Sequence, residues 1–477
     1  LVETIRGRGR ESETTRAARK TLEEAAKDDF VVSKDEFIDP KERSYDLILI
    51  GATGFTGRLA MRHLIQYYHD STKEGSKEKV RWAIAGRSKD KLEKIKKEVI
   101  QDLYDEGVLK TSQSVDIDVF VIDTLLRDES LHNLIRNTRC VASTAGPFAL
   151  YGSHIVEFCA KYGTHYVDIT GEQGWSRQMI HKWQTTAKST GAKIVSFCGH
   201  DCIPWDLTVY KMKQKLSQQD EDLTSIVCLN ESQGQSISGG TLATIMMGVD
   251  GYTTPKFKEG DPWLRVPDDD DASEQKSSST KPRYEISIPF MPQKVNVALT
   301  NFASQSLYTS FHAMAPLNAQ IVRRSHVLLE HKKKSPSKLV YNEGVLELDY
   351  PTALLSTVSL VLAGSFLLNP LTRYLVENYL LPPGNGPSKK ARDASHMCVY
   401  AVGTGSKGSQ VESAMYFPKD VGYAETSRML AESGLCLSLN DKELVAGGGF
   451  FTPSAAMGDV LFERLCQGGT MYRCAVK

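Results

Sequence analysis

The chain has 477 residues, more than one compact core usually holds, so two or three domains are expected. Hydrophobic residues make up 41% of the chain and charged residues 24%, as in an ordinary soluble globular protein. Lys+Arg and Asp+Glu both number 58, so there is no excess of positive charge, and we expect no nucleic-acid partner.

The nine cysteines are odd in number and follow no repeating spacing, which favours a reducing, intracellular compartment over a disulfide framework. Cys198 and Cys202 flank His200 in CGHDC. No second pair of ligands follows at a zinc-site spacing, so we predict no metal site.

The first predicted segment, residues 1–44, mixes arginine with many acidic residues. It has neither the apolar core of a signal peptide nor the acid-poor composition of a transit peptide. We therefore predict a charged extension, and residues 1–40 could bind further copies of the chain or a larger protein complex.

Residues 45–218 alternate short apolar runs with amphipathic stretches. Continuously apolar strands that alternate with helices are typical of a parallel sheet covered on both faces. We predict an α/β fold here, a doubly wound Rossmann domain. Its expected strands are YDLILIG, VRWAIAG, DVFVID, TRCVASTAG, HYVDITG and AKIVSFCG, and its expected helices include RLAMRHLIQYY, DKLEKIKKEVIQDLY and GSHIVEFCAKYG.

The pattern changes over residues 219–450, where we predict a second, α+β domain with a mostly antiparallel sheet, for substrate binding or dimerisation. Residues 267–283 are acidic and then rich in serine, which indicates a surface loop. Residues 451–477 are expected to form a C-terminal helix that packs back on the Rossmann domain. The expected strands of the second domain are TSIVCLN, YEISIP, KVNVALT and KLVYNEGVLEL.

The sharpest local motif is GATGFTG, between the first predicted strand and helix. Gly51 would permit a tight turn, Gly54 would let the backbone approach a pyrophosphate, and Gly57 would let the helix pack closely on the strand. The pyrophosphate would then lie at the helix N-terminus. The alternative is a plain glycine turn. The predicted cofactor-binding residues of this turn are Gly51, Thr53, Gly54, Phe55, Thr56 and Gly57.

The end of the second predicted strand, AIAGRSKDKL, bears on the choice of nicotinamide cofactor. An NAD site usually places Asp or Glu there, whereas Arg87 and Ser88 can bind a 2′-phosphate. Asp90 is close in sequence, but a place in the first turn of the helix accounts for it. We predict NADP(H) in preference to NAD(H).

Further cofactor contacts are expected after the third and fourth strands. Asp123 would face the adenine or cap a helix, and the residues leave both roles open. Ala145 and Gly146 are small enough for the chain to pass close to a dinucleotide, and Pro147 ends the strand.

Several blocks together resemble the saccharopine dehydrogenase-like oxidoreductases, in the branch that contains the eukaryotic saccharopine dehydrogenase-like oxidoreductase and the bacterial trans-acting enoyl reductases. The resemblance implies a Rossmann domain, a smaller sheet domain and reduction of a double bond at a nicotinamide. GHDCIPWDL differs from the family's usual G-F-D-S-I-P-S-D-L at His200, Cys202 and Trp205, which leaves the substrate open. The matching blocks are GATGFTG, AGRSKDKL, AGPFALYG, GTHYVDITGE, GHDCIPWDL, SGGT and FTPSAAMGDVLFERL.

Hydride transfer requires orientation of the substrate and, in some enzymes, a proton donor. Our candidate catalytic residues are Tyr151, Glu172 and Asp201. Tyr151 could donate a proton to an enolate or simply pack at a helix start. Glu172, like Asp168 near it, could orient the nicotinamide or cap a helix. Asp201 adjoins His200, an acid–base group that the family pattern replaces with Phe.

Residues 351–370 form the most apolar stretch, and its charge-free run from Pro351 to Leu368 is 18 residues long. With the partly apolar segment that follows, we predict an apolar helical hairpin over residues 351–385. Two helices joined at Asn369–Pro370 could dip into one leaflet, so we expect contact with a membrane or lipid droplet; the alternative is a buried helix. Mitochondrion and lipid droplet are both compatible locations. The basic residues near this stretch are Arg323, Arg324, Lys332, Lys333, Lys334, Lys389, Lys390 and Arg392.

Our leading hypothesis is an NADP(H)-dependent oxidoreductase that reduces a double bond in a small apolar or lipid-like substrate at a membrane surface. The alternative is a non-catalytic, membrane-associated subunit that keeps a bound nucleotide within a larger complex. A pocket beside the nicotinamide would favour the enzyme. A lysine-pathway enzyme ranks third, because we find no basic cluster for a dicarboxylate.

Overall fold

A computed structural model describes residues 36–69, 80–110, 114–233, 260–266, 283–295, 307–331, 333, 336–368 and 386–477. The predicted surface loop over 267–283 lies outside the described residues except for Arg283, which begins a strand. The second half of the apolar hairpin and residues 1–35 of the extension also lie outside them.

The first sheet has seven strands, all parallel, in the order β14-β6-β5-β4-β1-β2-β3. Without β14 this is the Rossmann order, with the switch point between β1 and β4. Its strands are β1 (Tyr45–Ile50), β2 (Trp82–Gly86), β3 (Asp118–Val121), β4 (Thr138–Ser143), β5 (His165–Asp168), β6 (Lys193–Val195) and β14 (Gly449–Phe451).

Helices cover both faces of this sheet, which explains the continuous apolar runs. Leu47 and Leu49 of β1 belong to the core on one face, while Ile48 and Ile50 belong to the core on the other. The helices that connect the strands are α1 (Phe55–Tyr68), α2 (Lys89–Asp105), α3 (Glu129–Arg136), α4 (Phe148–Tyr151), α5 (Ser153–Tyr162), α6 (Gln173–Thr190) and α7 (Ile203–Ser217).

The second sheet has eight strands in the order β15-β13-β12-β7-β11-β10-β9, and β8 also pairs with β11. Most neighbours are antiparallel, but β11 runs parallel to both β7 and β8. The predicted second domain with a mostly antiparallel sheet is confirmed. Its strands are β7 (Leu223–Gln233), β8 (Arg283–Ile286), β9 (Gln293–Val295), β10 (Leu307–Ser310), β11 (Lys338–Glu347), β12 (His396–Gly405), β13 (Gln410–Phe417) and β15 (Met471–Val476).

The chain returns to the Rossmann sheet after β13. One returning helix packs on β1, β4 and β5, and β14 adds a parallel edge strand next to β6. The Rossmann layer therefore also includes residues from the stretch 219–450, which the sequence pattern assigns to the second domain. The helices after β7 are α8 (Ala315–Glu330), α9 (Tyr350–Leu368), α10 (Lys389–Ala394), α11 (Thr426–Leu439), which is the returning helix, and α12 (Pro453–Gln467), which packs on α7 and α11.

Helix α9 is the apolar segment of the second domain. Among the described residues, no helix is long and apolar enough to cross a membrane. Ala353 and Thr357 face the protein, whereas Leu355 and Leu362 are 67% and 65% exposed. The first half of the predicted apolar hairpin is therefore a helix with one face packed and the other open.

Candidate dinucleotide site

Two glycines, Gly51 and Gly57, allow the tight turn after β1. Gly51 has a φ of +92°, a left-handed conformation that favours glycine, and a Cβ there would lie 2.7 Å from Thr144 Oγ1. A Cβ on Gly57 would lie 2.2 Å from the Gly51 carbonyl oxygen. The turn, the start of α1 and the end of β4 therefore approach one another more closely than side chains would allow.

Gly54 occupies a different environment. It precedes α1 in an extended conformation, and its nearest obstacle to a Cβ is the Gly51 oxygen at 3.4 Å. The backbone N–H groups at the start of α1 have no carbonyl partners within the helix, and the helix dipole favours an anion there. Gly54 thus has no side chain between this helix start and the space where the predicted phosphate group would lie.

Residues of the second domain and of the returning helix α11 pack around this helix start. The Phe55 ring lies 5.2 Å from the Tyr423 ring and 5.4 Å from the Arg392 guanidinium. Ser427, at the start of α11, donates a hydrogen bond of 2.9 Å to the Thr56 carbonyl. The phosphate turn is therefore held from both domains.

A cavity of 380 Å³ opens beside the turn, between α1 and α2. Its lining includes Thr53 and Gly54. Arg58 pairs with Asp102 at 2.8 Å, and Arg62 pairs with Glu106 at 2.5 Å, on the same wall. These ion pairs balance the positive charge of Arg58 and Arg62 in the cavity lining.

The end of β2 presents a cation. Arg87 is exposed, and its guanidinium lies 5.3 Å from the centre of the Tyr151 ring. Among the described residues, no carboxylate forms an ion pair with it. Ser88 caps α2 by accepting a hydrogen bond from the Lys91 backbone N–H at 3.4 Å. The arrangement leaves a positive charge beside the expected adenosine ribose.

The remaining predicted cofactor residues lie on two loops. Asp123 follows β3 and accepts a hydrogen bond of 3.0 Å from the Leu125 backbone N–H, a turn-forming contact. Ala145, Gly146 and Pro147 follow β4, and the Gly146–Pro147 peptide is cis. This loop adjoins the glycine turn, since a Cβ on Gly51 would lie 2.9 Å from the Ala145 nitrogen.

Two carboxylates, the buried Asp168 and the partly buried Glu172, tie together the loops at the carboxyl edge of the sheet. Glu172 accepts hydrogen bonds from the backbone N–H groups of Phe148 at 2.7 Å and Ala149 at 2.8 Å. Asp168 accepts bonds from Ser196 Oγ and the Phe197 N–H. Burial raises the pKa of Glu172 to about 7 and that of Asp168 to about 6, although the hydrogen bonds lower both. Glu172 thus positions the loop after β4.

The raised pKa of Glu172 predicts a pH-dependent contribution to stability. Because the folded pKa of about 7 exceeds the unfolded value near 4.5, the contribution is complete below about pH 4.5 and lost as the pH rises through 7. Between pH 5 and pH 8 the wild type should lose about 2 kcal/mol more free energy of unfolding than Glu172→Gln. Urea denaturation at both pH values measures this difference. Equal losses in the two proteins would contradict the role of Glu172.

The loop after β6 meets the second domain. Asp201 lies 3.3 Å from His200 Nδ1. Burial would raise the pKa of Asp201, but the hydrogen bond and charge of His200 outweigh it and the pKa is lowered. The charge of His312, which follows β10, lowers it further. His312 in turn contacts Glu343 of β11 at 2.5 Å. Sequence reasoning missed both residues, because no local motif links them to GHDC.

Of the predicted catalytic residues, only Asp201 lies beside the polar residues His200, His312 and Glu343. The oxygens of Glu172 are occupied by backbone N–H groups, and Tyr151 is half-buried beside Arg87. No group of three His, Cys, Asp or Glu side chains in the part of the chain that the structure describes could hold a metal ion.

Comparison with known proteins agrees with this geometry. The family model of the saccharopine dehydrogenase NADP-binding domain matches residues 47–195. A Mycobacterium tuberculosis protein with the provisional name trans-acting enoyl reductase is 30% identical over 440 residues, 90% of this chain and 96% of that protein. The trans-acting enoyl reductase of Mycobacterium leprae is 29% identical over 451 residues, 91% of this chain and 98% of that enzyme.

Among solved structures, the apo saccharopine dehydrogenase (L-Glu forming) of Saccharomyces cerevisiae is similar, with 10% identity and a TM-score of 0.49 over 90% of this chain and 99% of that chain. The long alignment at 30% identity and the matching NADP-binding domain settle the relationship. This chain belongs to the saccharopine dehydrogenase-like family, together with the mycobacterial trans-acting enoyl reductases, and its Rossmann domain is an NADP-binding domain of that family.

Proposed function

We propose that this protein is an oxidoreductase that uses NADPH to reduce a carbon–carbon double bond conjugated to the carbonyl group of an apolar acyl chain. The observation that carries the proposal is the alignment with proteins named enoyl reductases over 90% of the chain, which takes in the second domain as well as the nucleotide domain. NADPH would supply a hydride to the β-carbon of the double bond.

The preference for NADPH over NADH is supported by the charge at the end of β2. Arg87 is exposed at the place where an adenosine ribose would lie, and Tyr151 supports its guanidinium. A guanidinium binds a 2′-phosphate through two parallel hydrogen bonds.

Arg87→Ala tests this preference. Loss of a charge-assisted contact of about 2 kcal/mol should weaken NADPH binding about thirtyfold, while NADH binding changes less than about threefold. Fluorescence titration with each cofactor measures the two dissociation constants. A matched control is Arg81→Ala, because Arg81 lies at the opposite end of β2, where its guanidinium donates a hydrogen bond to Asp46. Equal weakening for both cofactors would refute the 2′-phosphate role.

The reductase activity itself is tested with a simple substrate analogue. Purified protein with NADPH and the trans-dodec-2-enoyl thioester of N-acetylcysteamine should oxidise NADPH and form the saturated thioester, identified by mass spectrometry. The saturated thioester, which has no double bond to reduce, serves as the control substrate. If NADPH binds but no enoyl thioester of any chain length is reduced, the proposed activity is wrong.

We also propose that the acyl chain reaches the protein from a membrane or lipid-droplet surface through an apolar patch. We define this apolar patch as the exposed apolar residues of α9 and of the loop after β8. The two parts adjoin, because the Phe290 ring lies 5.5 Å from Phe311, whose N–H donates to Thr357 Oγ1 of α9 at 3.2 Å. The patch comprises Phe290, Met291, Leu355, Val358, Val361 and Leu362.

Leu362→Glu should weaken binding to lipid vesicles at least about tenfold, because burying a carboxylate in the interface is costly and leucine supplies apolar area there. Gln218→Glu, which adds the same charge on an exposed residue at the end of α7, should leave binding unchanged. Co-sedimentation with phosphatidylcholine vesicles measures both. Binding that is insensitive to both variants would rule out the apolar patch as the contact.

A further inference from the structure

Between the loop after β6 and the second sheet lies a polar cluster that the cofactor site does not use. The His312 Nδ1 atom is 2.5 Å from Glu343 Oε1. Glu343 is fully buried in the middle of β11, and it also accepts hydrogen bonds from Asn318 Nδ2 at 2.8 Å and from the Tyr341 hydroxyl at 2.7 Å. A buried carboxylate with three donors around it has a fixed position, and it fixes the histidine that it binds.

The ring of His312 is also held from the side. Trp205 stacks on it with ring centres 5.5 Å apart and an angle of 25° between the planes. The same indole lies 5.3 Å from the ring of His200. Trp205 therefore joins a histidine of the second domain to the loop at the carboxyl edge of the Rossmann sheet.

The second nitrogen of His312 is available. With Nδ1 bound to Glu343, Nε2 points away from that carboxylate, and no described residue forms a hydrogen bond with it. A histidine whose one nitrogen is held by a buried carboxylate, while the other is unoccupied, has the arrangement of a general acid or base. Asp201 of the Rossmann loop, which contacts His200 at 3.3 Å, lies close enough for the charge of His312 to lower its pKa.

The location suits a substrate group. The loop after β6 follows the carboxyl end of a parallel strand, at the same edge of the sheet as the glycine turn after β1. Ligands of open α/β sheets bind outside these carboxyl ends, at the switch point between β1 and β4. Asp168 and Glu172 in the adjoining loop are occupied by hydrogen bonds from neighbouring loops. Among the titratable groups described at this edge, His312 therefore combines an orienting partner with an unoccupied nitrogen.

We propose that His312 is the catalytic acid of the reduction and that Glu343 is the residue that positions it; this inference rests on the proposed function. The β-carbon accepts the hydride from NADPH, and the electron pair of the double bond moves toward the carbonyl as an enolate. The His312 imidazolium then gives its Nε2 proton to the α-carbon. The acyl chain leaves saturated, solvent returns the proton to His312, and NADPH would be the reductant that is consumed.

His312→Gln and Glu343→Gln test the proposal with the enoyl thioester described above. His312→Gln should lower kcat at least about a hundredfold, the usual contribution of a positioned general acid, while the Kd for NADPH stays within about twofold. Glu343→Gln should lower kcat without changing KM, because it affects orientation. The matched control is His326→Gln, since His326 is also buried in the second domain and bonded, but to Lys213 and the Ser337 carbonyl.

Two further measurements separate catalysis from structural damage. Adding 4-methylimidazole to His312→Ala should restore at least about a tenth of the lost rate, which a purely structural role would not allow. Wild type with NADP⁺ should also exchange the α-proton of the saturated thioester in deuterated water, and His312→Gln should not.

The outcomes distinguish the two proposals. If wild type reduces the enoyl thioester and His312→Gln does so at a similar rate, His312 is not the acid although the function stands. The same conclusion follows if His312→Gln loses activity only together with NADPH binding or thermal stability. If wild type shows neither reduction nor exchange with thioesters, the proposed function and this inference both fail.

Discussion

A Gly54→Val variant is expected to bind both NADPH and NADH at least about a hundredfold more weakly than wild type, while the fold is retained. Gly54 is extended, a conformation that valine also adopts, and a Cβ there meets only the Gly51 oxygen at 3.4 Å. The valine side chain would instead occupy the space through which a pyrophosphate reaches the N–H groups at the start of α1.

The measurement is a fluorescence titration with each cofactor, together with a thermal melt. The matched control is Gly364→Val, at a helical position where a Cβ meets nothing within 4 Å. Undiminished affinity of Gly54→Val for both cofactors would show that the pyrophosphate does not lie on this turn. Equal weakening in the control would show a general effect of the substitution.

Gly57→Ala is expected to act on stability, with a loss of about 3 kcal/mol in the free energy of unfolding. Its Cβ would lie 2.2 Å from the Gly51 carbonyl oxygen and 2.7 Å from Thr144 Oγ1. Thr144 also donates to the Gly51 carbonyl at 3.0 Å, so the methyl group would displace α1 and break the contact between the turn and β4.

Urea denaturation measures this loss, and Gly364→Ala is the control, because alanine in an open helical position should not destabilise. An unchanged midpoint for Gly57→Ala would mean that the turn relaxes without cost. The two glycine variants together separate the ligand-facing glycine from the packing glycine. Their expected effects differ in kind, since one changes affinity and the other changes stability.

Residues of the second domain and of the returning helix α11 pack on the start of α1, so we expect cofactor binding to depend on more than the glycine turn. Ser427 bonds the Thr56 carbonyl, and Arg392 and Tyr423 contact the Phe55 ring. A phosphate bound at the start of α1 would add a negative charge near Arg392. We therefore expect Arg392 of the second domain to contribute to a cofactor site that the Rossmann motif begins.

The sequence alone determined the parallel sheet and its phosphate turn. Each predicted strand from β1 to β6 is a short apolar run next to its own helix, and its pattern is local. Gly51 and Gly57 were also predictable, because a turn between a buried strand and a helix requires glycine wherever backbones approach closely.

Other features were decided only by the tertiary structure. β14 joins the Rossmann sheet from the far end of the chain, and a three-residue strand has no periodicity to reveal it. The exposed face of α9 was equally hidden, since a uniformly apolar helix reads the same whether it is buried or open. His312, which follows β10, and Glu343 of β11 come close to the loop after β6 from separate parts of the second domain. Such contacts depend on how the two domains pack. Packing between segments that are distant in sequence leaves no local sequence pattern.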